Sequence, residues 1–198
     1  STYVYSVIPL FIGMGFIASE VRLSSDAFNA IEKWIGHRRG GLAMATTSAC
    51  AGFAAVSGDT ISTATTVAAV SLPVMRKAGY ADVLSLGCLA AGGNLGFLIP
   101  PSGAFIVYAI LTEQSIGTLF ISGILPGVLL TVLFMLTIWF LCKMSPEMAP
   151  SLSAAPWGER LRSIKYVTGI LLLILVVLGG IYAGFFTRDA WDEFRLTS

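Results

Sequence analysis

The chain has 198 residues, of which 56% are hydrophobic and only 12% charged, with a formal net charge of +1. Its mean hydropathy is +0.83. So few charges cannot cover a soluble domain of this length, which leaves an integral membrane protein, and the near-neutral balance excludes an electrostatic nucleic-acid binder.

Residues 1–23 carry a first apolar helix. They lack the basic start and small-residue cleavage site of a signal peptide. Residues 24–39 follow as an amphipathic arm: Phe28, Ile31, Trp34 and Ile35 fall on one side, and Asp26, Asn29, Glu32 and Lys33 fall largely elsewhere. Such a helix lies in the membrane interface or braces a bundle. His37, beside Arg38 and Arg39, reads as a solvated loop residue rather than a ligand.

Residues 40–76 hold one acidic residue, Asp59, and are rich in Ala, Ser, Thr and Gly. Both arms, at about 16 residues, fall slightly short of a full span. Lipid-facing helices favour Leu and Ile, whereas small residues suit close helix packing. The segment therefore reads as a re-entrant hairpin with its tip at Ser57-Gly58-Asp59-Thr60; two ordinary helices are the alternative.

Residues 82–112 form the next apolar run, without Asp, Glu, Lys or Arg from Val83 to Thr112. Its middle reads A-A-G-G-N-L-G-F-L-I-P-P-S-G, so it is a broken transmembrane helix. A helix over 115–142 returns to Lys143, and a Pro/Ser/Ala-rich loop occupies 143–165. A last apolar helix covers 166–187, ahead of a polar tail, 188–198. Basic residues gather at 37–39, 76–77, 143 and 160–165, while the 112–114 link carries only Glu113. Loops rich in Lys and Arg stay in the cytoplasm, so both ends of the hairpin face inward and the broken helix runs outward.

Cys50, Cys88 and Cys142 lie in apolar segments and read as small buried hydrophobes rather than metal or redox groups. The two irregular stretches carry the chemistry. Backbone groups freed from helical bonding cannot face lipid; they are tolerated where an ion or solute satisfies them. Ser57, Thr60, Ser62 and Thr63 supply hydroxyl oxygens, glycines let carbonyls approach closely, and Asp59 adds charge at membrane depth. That set suits a hard monovalent cation. The plainer readings are that Asp59 or Ser57 caps the helix starting near Ile61, and that Gly92 to Ser102 is a proline kink.

The series A-A-G-G-N-L-G-F-L-I-P-P-S, with Y-A-I-L-T-E-Q-S-I-G-T-L-F-I-S-G-I-L-P-G, closely resembles the large membrane subunit of TRAP transporters (tripartite ATP-independent periplasmic transporters), the DctM-type permease. L-P-V-M-R-K-A-G-Y, F-A-A-V-S-G-D-T, G-H-R-R-G-G-L-A and L-G-G-I-Y-A-G-F-F-T extend the likeness. The resemblance implies an all-α integral membrane fold, the first half of an inverted-repeat elevator transporter with a re-entrant hairpin and a broken helix. It implies sodium and substrate contacts at Ser57, Gly58 and Asp59, and at Gly92, Gly93, Asn94, Gly96, Pro100, Pro101 and Ser102; Thr60, with its hydroxyl beside the turn, completes the candidate set. Asp59 and Asn94 stand where family members often have Ser and Thr.

By the same resemblance the chain is no enzyme. It would be the permease subunit of a sodium-coupled importer of small organic acids, of the C4-dicarboxylate or sugar-acid type, in the bacterial inner membrane. Its partners would be a small TRAP membrane subunit, a periplasmic substrate-binding protein, the organic-acid substrate and the lipid bilayer, with no nucleic acid and no cofactor beyond Na+ as coupling ion. The family permease is roughly twice as long, so the chain reads as a fragment, a frameshifted product or a natural truncation. The competing expectation is a non-transporting remnant with at most one ion site. An intramembrane aspartyl protease is disfavoured, because the tip reads V-S-G-D rather than G-x-G-D.

Overall fold

A computed structural model describes residues 23–152, 156–163 and 168. The described residues are helical, without strands. Nearly all of the first apolar helix, the last one over 166–187 and the polar tail lie outside them.

Helix α1, Leu23–Ile35, opens with Asp26 in its first turn and closes with Lys33 in its last, the arrangement that complements a helix dipole. Ala27, Phe28 and Ala30 are buried, with Ile31 and Ile35 packed beside them. This face lies against α2, Gly41–Ser57. The structure corrects the sequence expectation at two side chains. Trp34 leaves the apolar face, stays 40% exposed and donates its indole N–H to Ser163 Oγ at 3.2 Å. His37 is half-buried rather than solvated. The Gly36–Gly40 turn folds it back onto the bundle, and its Nδ1 is enclosed without a hydrogen-bond partner.

Helix α2 is the centre of the described bundle and touches α1 and four later helices. Its sequence, G-L-A-M-A-T-T-S-A-C-A-G-F-A-A-V-S, explains why: small side chains let several helices approach one axis, and most of its residues are buried. Thr46 and Thr47 return their hydroxyl protons to the carbonyls of Leu42 and Ala43, so they are buried without orphaned polar groups. The N-terminus has no side-chain cap of its own. Instead the Leu42 N–H donates to Tyr80 Oη at 3.3 Å, from the loop beyond the hairpin.

Gly58, with φ +61°, ends α2 and donates its N–H to Ala54 O. After Asp59 the chain reverses into α3, Thr60–Lys77, which packs back along α2. Residues 41–77 are thus a helical hairpin with a two-residue turn.

The apolar run 82–112 is three helical pieces: α4, Asp82–Gly93; α5, Leu95–Leu98; and α6, Gly103–Thr112. Asn94 separates the first two. Ile99 to Ser102, with a cis bond between Pro100 and Pro101, separates the second two. Glu113 then turns the chain into α7, Ile116–Met144. At 1.5 Å per residue α7 is about 43 Å long, more than a bilayer's hydrocarbon core. Taken through its breaks, Asp82–Thr112 is likewise long and apolar enough to cross. A 3-10 turn at Pro146–Met148 and a helical stretch over 157–163 complete the described chain.

Candidate ion and solute site at two helix breaks

The hairpin turn is seated in the break of the apolar run. The Gly103 N–H donates to Gly58 O at 3.1 Å, joining the turn to the start of α6 through backbone alone. A side chain on Gly58 would run into the Pro101 carbonyl, and the positive φ already disfavours one. A Cβ on Gly96 would lie 2.6 Å from Asp59 O, and one on Gly93 would lie 2.8 Å from Ala64 Cβ. The glycines are therefore what lets α4 and α5 close on the hairpin turn. Behind the break, Gly123 of α7 admits the Phe105 ring and the Leu98 carbonyl, and Gly127 admits Ile99.

Four helix ends converge here. The C-termini of α2 and α5 bring carbonyls, and the N-termini of α3 and α6 bring N–H groups. Several of these ends are satisfied internally. Asp59 accepts the Ser62 N–H through Oδ2 at 2.6 Å and caps α3. Ser102 is fully buried, and its hydroxyl donates to Phe97 O at 2.8 Å across the Pro-Pro segment. A buried hydroxyl pair lies under the turn: Ser57 Oγ and Thr63 Oγ1 are 2.7 Å apart. Both hydroxyls reach the Asp59 carbonyl, Thr63 Oγ1 at 2.6 Å and Ser57 Oγ at 3.4 Å, and either can donate in the bond they share. Ser57 Oγ lies at the bottom of the turn.

The sequence-derived candidates do not all meet. Gly58, Pro101 and Ser102 touch at the joint, and Asp59, Thr60, Gly93 and Gly96 form its other side. Ser57 lies directly beneath. Gly92 sits away from the turn against Cys50 of α2, where a Cβ would come within 2.9 Å of both side-chain atoms. Asn94 is exposed, and its backbone carbonyl opens α5 by accepting the Phe97 N–H at 3.1 Å. Pro100 is buried beside the joint without a polar role. Gly103 and Ala64 were missing from the sequence-derived set. Gly103 had a readable signal, a glycine directly after P-P-S at a helix start; Ala64, one of many alanines, had none. The three cysteines are free and buried.

Among the described residues the chain is helical, with two apolar stretches long enough to cross a membrane, one of them interrupted and closed on a hairpin turn, which fits an integral membrane protein. Comparison with known proteins gives the family. The model of the tripartite ATP-independent periplasmic transporter DctM component matches residues 1–190, and the chain belongs to that family. It is a transporter component and not an enzyme. It is 37% identical over 180 residues to the ectoine TRAP transporter large permease protein TeaC of Halomonas elongata, covering 91% of this chain and 42% of the relative. It is also 37% identical over 185 residues to the C4-dicarboxylate TRAP transporter large permease protein DctM of Pseudomonas aeruginosa, covering 93% and 43%. Identity to the sialic acid TRAP transporter large permease protein SiaM of Vibrio cholerae is 31% over 180 residues, covering 91% and 42%. The chain spans less than half the length of these relatives.

Proposed function

We propose that these residues form one half of the transport core of a sodium-coupled, binding-protein-dependent permease that imports a small organic acid across the bacterial inner membrane. The observation that carries this reading is the joint itself, in which carbonyl-bearing and N–H-bearing helix ends meet at one point inside otherwise apolar segments. Carbonyl ends and the Ser57 oxygen suit Na+, while N-terminal ends of α3 and α6 favour an anionic group. Sodium would order the turn first, and the carboxylate would then find its N–H partners already placed.

Depth supports the same reading. The joint packs on Gly123 and Gly127 of α7, roughly 10–17 Å from the start of that helix at 1.5 Å per residue. The hairpin turn would then stop short of the outer surface, as a re-entrant hairpin does. Movement of the loaded core against a scaffold that includes a small membrane subunit, with delivery by a periplasmic binding protein, follows the family pattern. The cargoes named for relatives, ectoine, C4-dicarboxylates and sialic acid, lend support to a compact organic acid as the class.

The test is thermal unfolding of the detergent-solubilised chain in Na+ against K+ at equal ionic strength. A sodium-specific rise in melting temperature, reduced in Ser57→Ala, is expected. Identical melting in both salts would count against the ion site and favour the second reading, a non-transporting remnant that retains at most one ion site. Uptake into liposomes by these 198 residues is not expected, since most of the cleft would come from the matching half.

A further inference from the structure

The end of the bundle opposite Glu113 gathers the basic residues among the described ones, and contacts rather than sequence proximity assemble it. A side chain on Gly40, next to Arg39, would strike Cys142 Sγ, so the 37–40 turn abuts the end of α7 beside Lys143. The Ala81 N–H donates to Met148 O at 3.0 Å, bringing the Arg76–Asp82 loop to the same place. Lys33 pairs with Glu159 at 3.6 Å, and Trp34 bonds Ser163, fastening the 157–163 helix to the end of α1.

Tryptophans and cations are interleaved at this end. Lys143 lies 5.2 Å from the Trp139 ring centroid, and Arg160 lies 5.3 Å from that of Trp157. Trp139 is 50% exposed and Trp157 70%, with Leu161 one turn further along the same helix at 63%. Of the acidic groups here Asp82 is paired with Arg76 and Glu159 with Lys33, while Glu32 and the exposed Glu147 of the 3-10 turn have no ion pair among the described residues. Half-burial pushes the Glu32 carboxyl above its ordinary value. Among the described residues Arg38, Arg39, Lys77, Lys143 and Arg162 have no acidic partner, and Arg160 Nε is enclosed without an acceptor.

We propose that the end of α1, the 37–40 turn, Lys143 and the 157–163 helix form a collar that binds anionic phospholipid headgroups. Surplus guanidinium and ammonium groups meet lipid phosphates there, and Trp139, Trp157 and Leu161 sink into the headgroup–acyl boundary. The occupant is a lipid surface because the exposed groups alternate between cation and amphipathic ring. A soluble polyanion would leave Trp157 and Leu161 in water. The inference does not depend on which ion or solute the protein carries.

Brominated lipids test it through tryptophan quenching. The 198-residue chain is reconstituted in equal mixtures of phosphatidylglycerol and phosphatidylcholine, with bromine on the acyl chains of one lipid or the other. Quenching by brominated phosphatidylglycerol is expected to exceed that by brominated phosphatidylcholine, corresponding to an enrichment of at least about threefold around the tryptophans. Raising the salt should reduce the difference, and so should the combined variant R38Q/R39Q/K143Q/R160Q. Equal quenching by the two lipids in the unmodified chain would overturn the proposal without recourse to any variant. So would a difference that survives in a variant still inserted and helical.

Discussion

Helix α2 of the hairpin and the long helix α7 are both apolar, yet they are built on opposite rules. In α2 almost every residue is buried, and the side chains are Ala, Gly, Ser, Thr and Cys with single Leu, Met, Phe and Val insertions. In α7 only Phe120, Gly123, Gly127, Ile138 and Cys142 are buried, and Leu125, Leu129, Leu133 and Phe140 face outward. Hydropathy alone does not separate these helices. Side-chain size separates α2 from α7, since small residues let α2 pack on several sides, but size is not sufficient: α3 is also built of small residues and buries only Thr63, Val67, Ser71 and Met75.

The comparison can be broken most sharply at the turn. Gly58→Ala puts a Cβ against the Pro101 carbonyl and demands an unfavourable φ, so a loss of about 3 kcal/mol is expected. The measurement is chemical unfolding in mixed micelles followed by circular dichroism. Gly96→Ala, which meets Asp59 O at 2.6 Å, should cost about 2 kcal/mol in the same assay, less because its φ is ordinary. If both variants unfold like the parent chain, the joint is not close-packed.

The base of the hairpin gives a smaller effect. Tyr80→Phe removes the acceptor of the Leu42 N–H in a buried setting, and about 1–2 kcal/mol should be lost. Hydrogen exchange at Leu42 should accelerate with it, whereas a packing role for the ring alone would leave exchange unchanged. Asp59→Ala should cost about 1 kcal/mol as a lost helix cap, with Asp59→Asn recovering most of it because the amide oxygen can still accept from Ser62 N. A sodium effect on melting that vanishes in Asp59→Asn would instead assign the carboxylate charge a part in ion binding. Smallest of all, Leu129→Ala on the exposed face of α7 should stay within about 0.5 kcal/mol. A larger loss would mean that this face is covered by protein.

Much of this architecture is written in the residue pattern. Helix breakers at Gly92-Gly93 and Pro100-Pro101 and the S-G-D-T turn mark where helices stop, because glycine and proline act locally whatever surrounds them. Which breaks meet is not local. The docking of Gly96 on Asp59 and the Gly103–Gly58 bond depend on the path of the chain between them, and no spacing in the sequence encodes it. Trp34 escaped prediction for a similar reason: its helical angle assigns it to the apolar face, but Ser163, more than a hundred residues later, draws its indole outward. The charge of Asp59 invites a functional reading from sequence, and the structure adds that its carboxylate already has a capping partner.

The bond from Gly103 N to Gly58 O carries one more consequence. It is made by main-chain atoms at positions defined by missing side chains, so the chemical identity of the neighbouring residues 59 and 94 does not enter it. Those two positions can therefore be substituted while the backbone bond between hairpin and broken helix is kept.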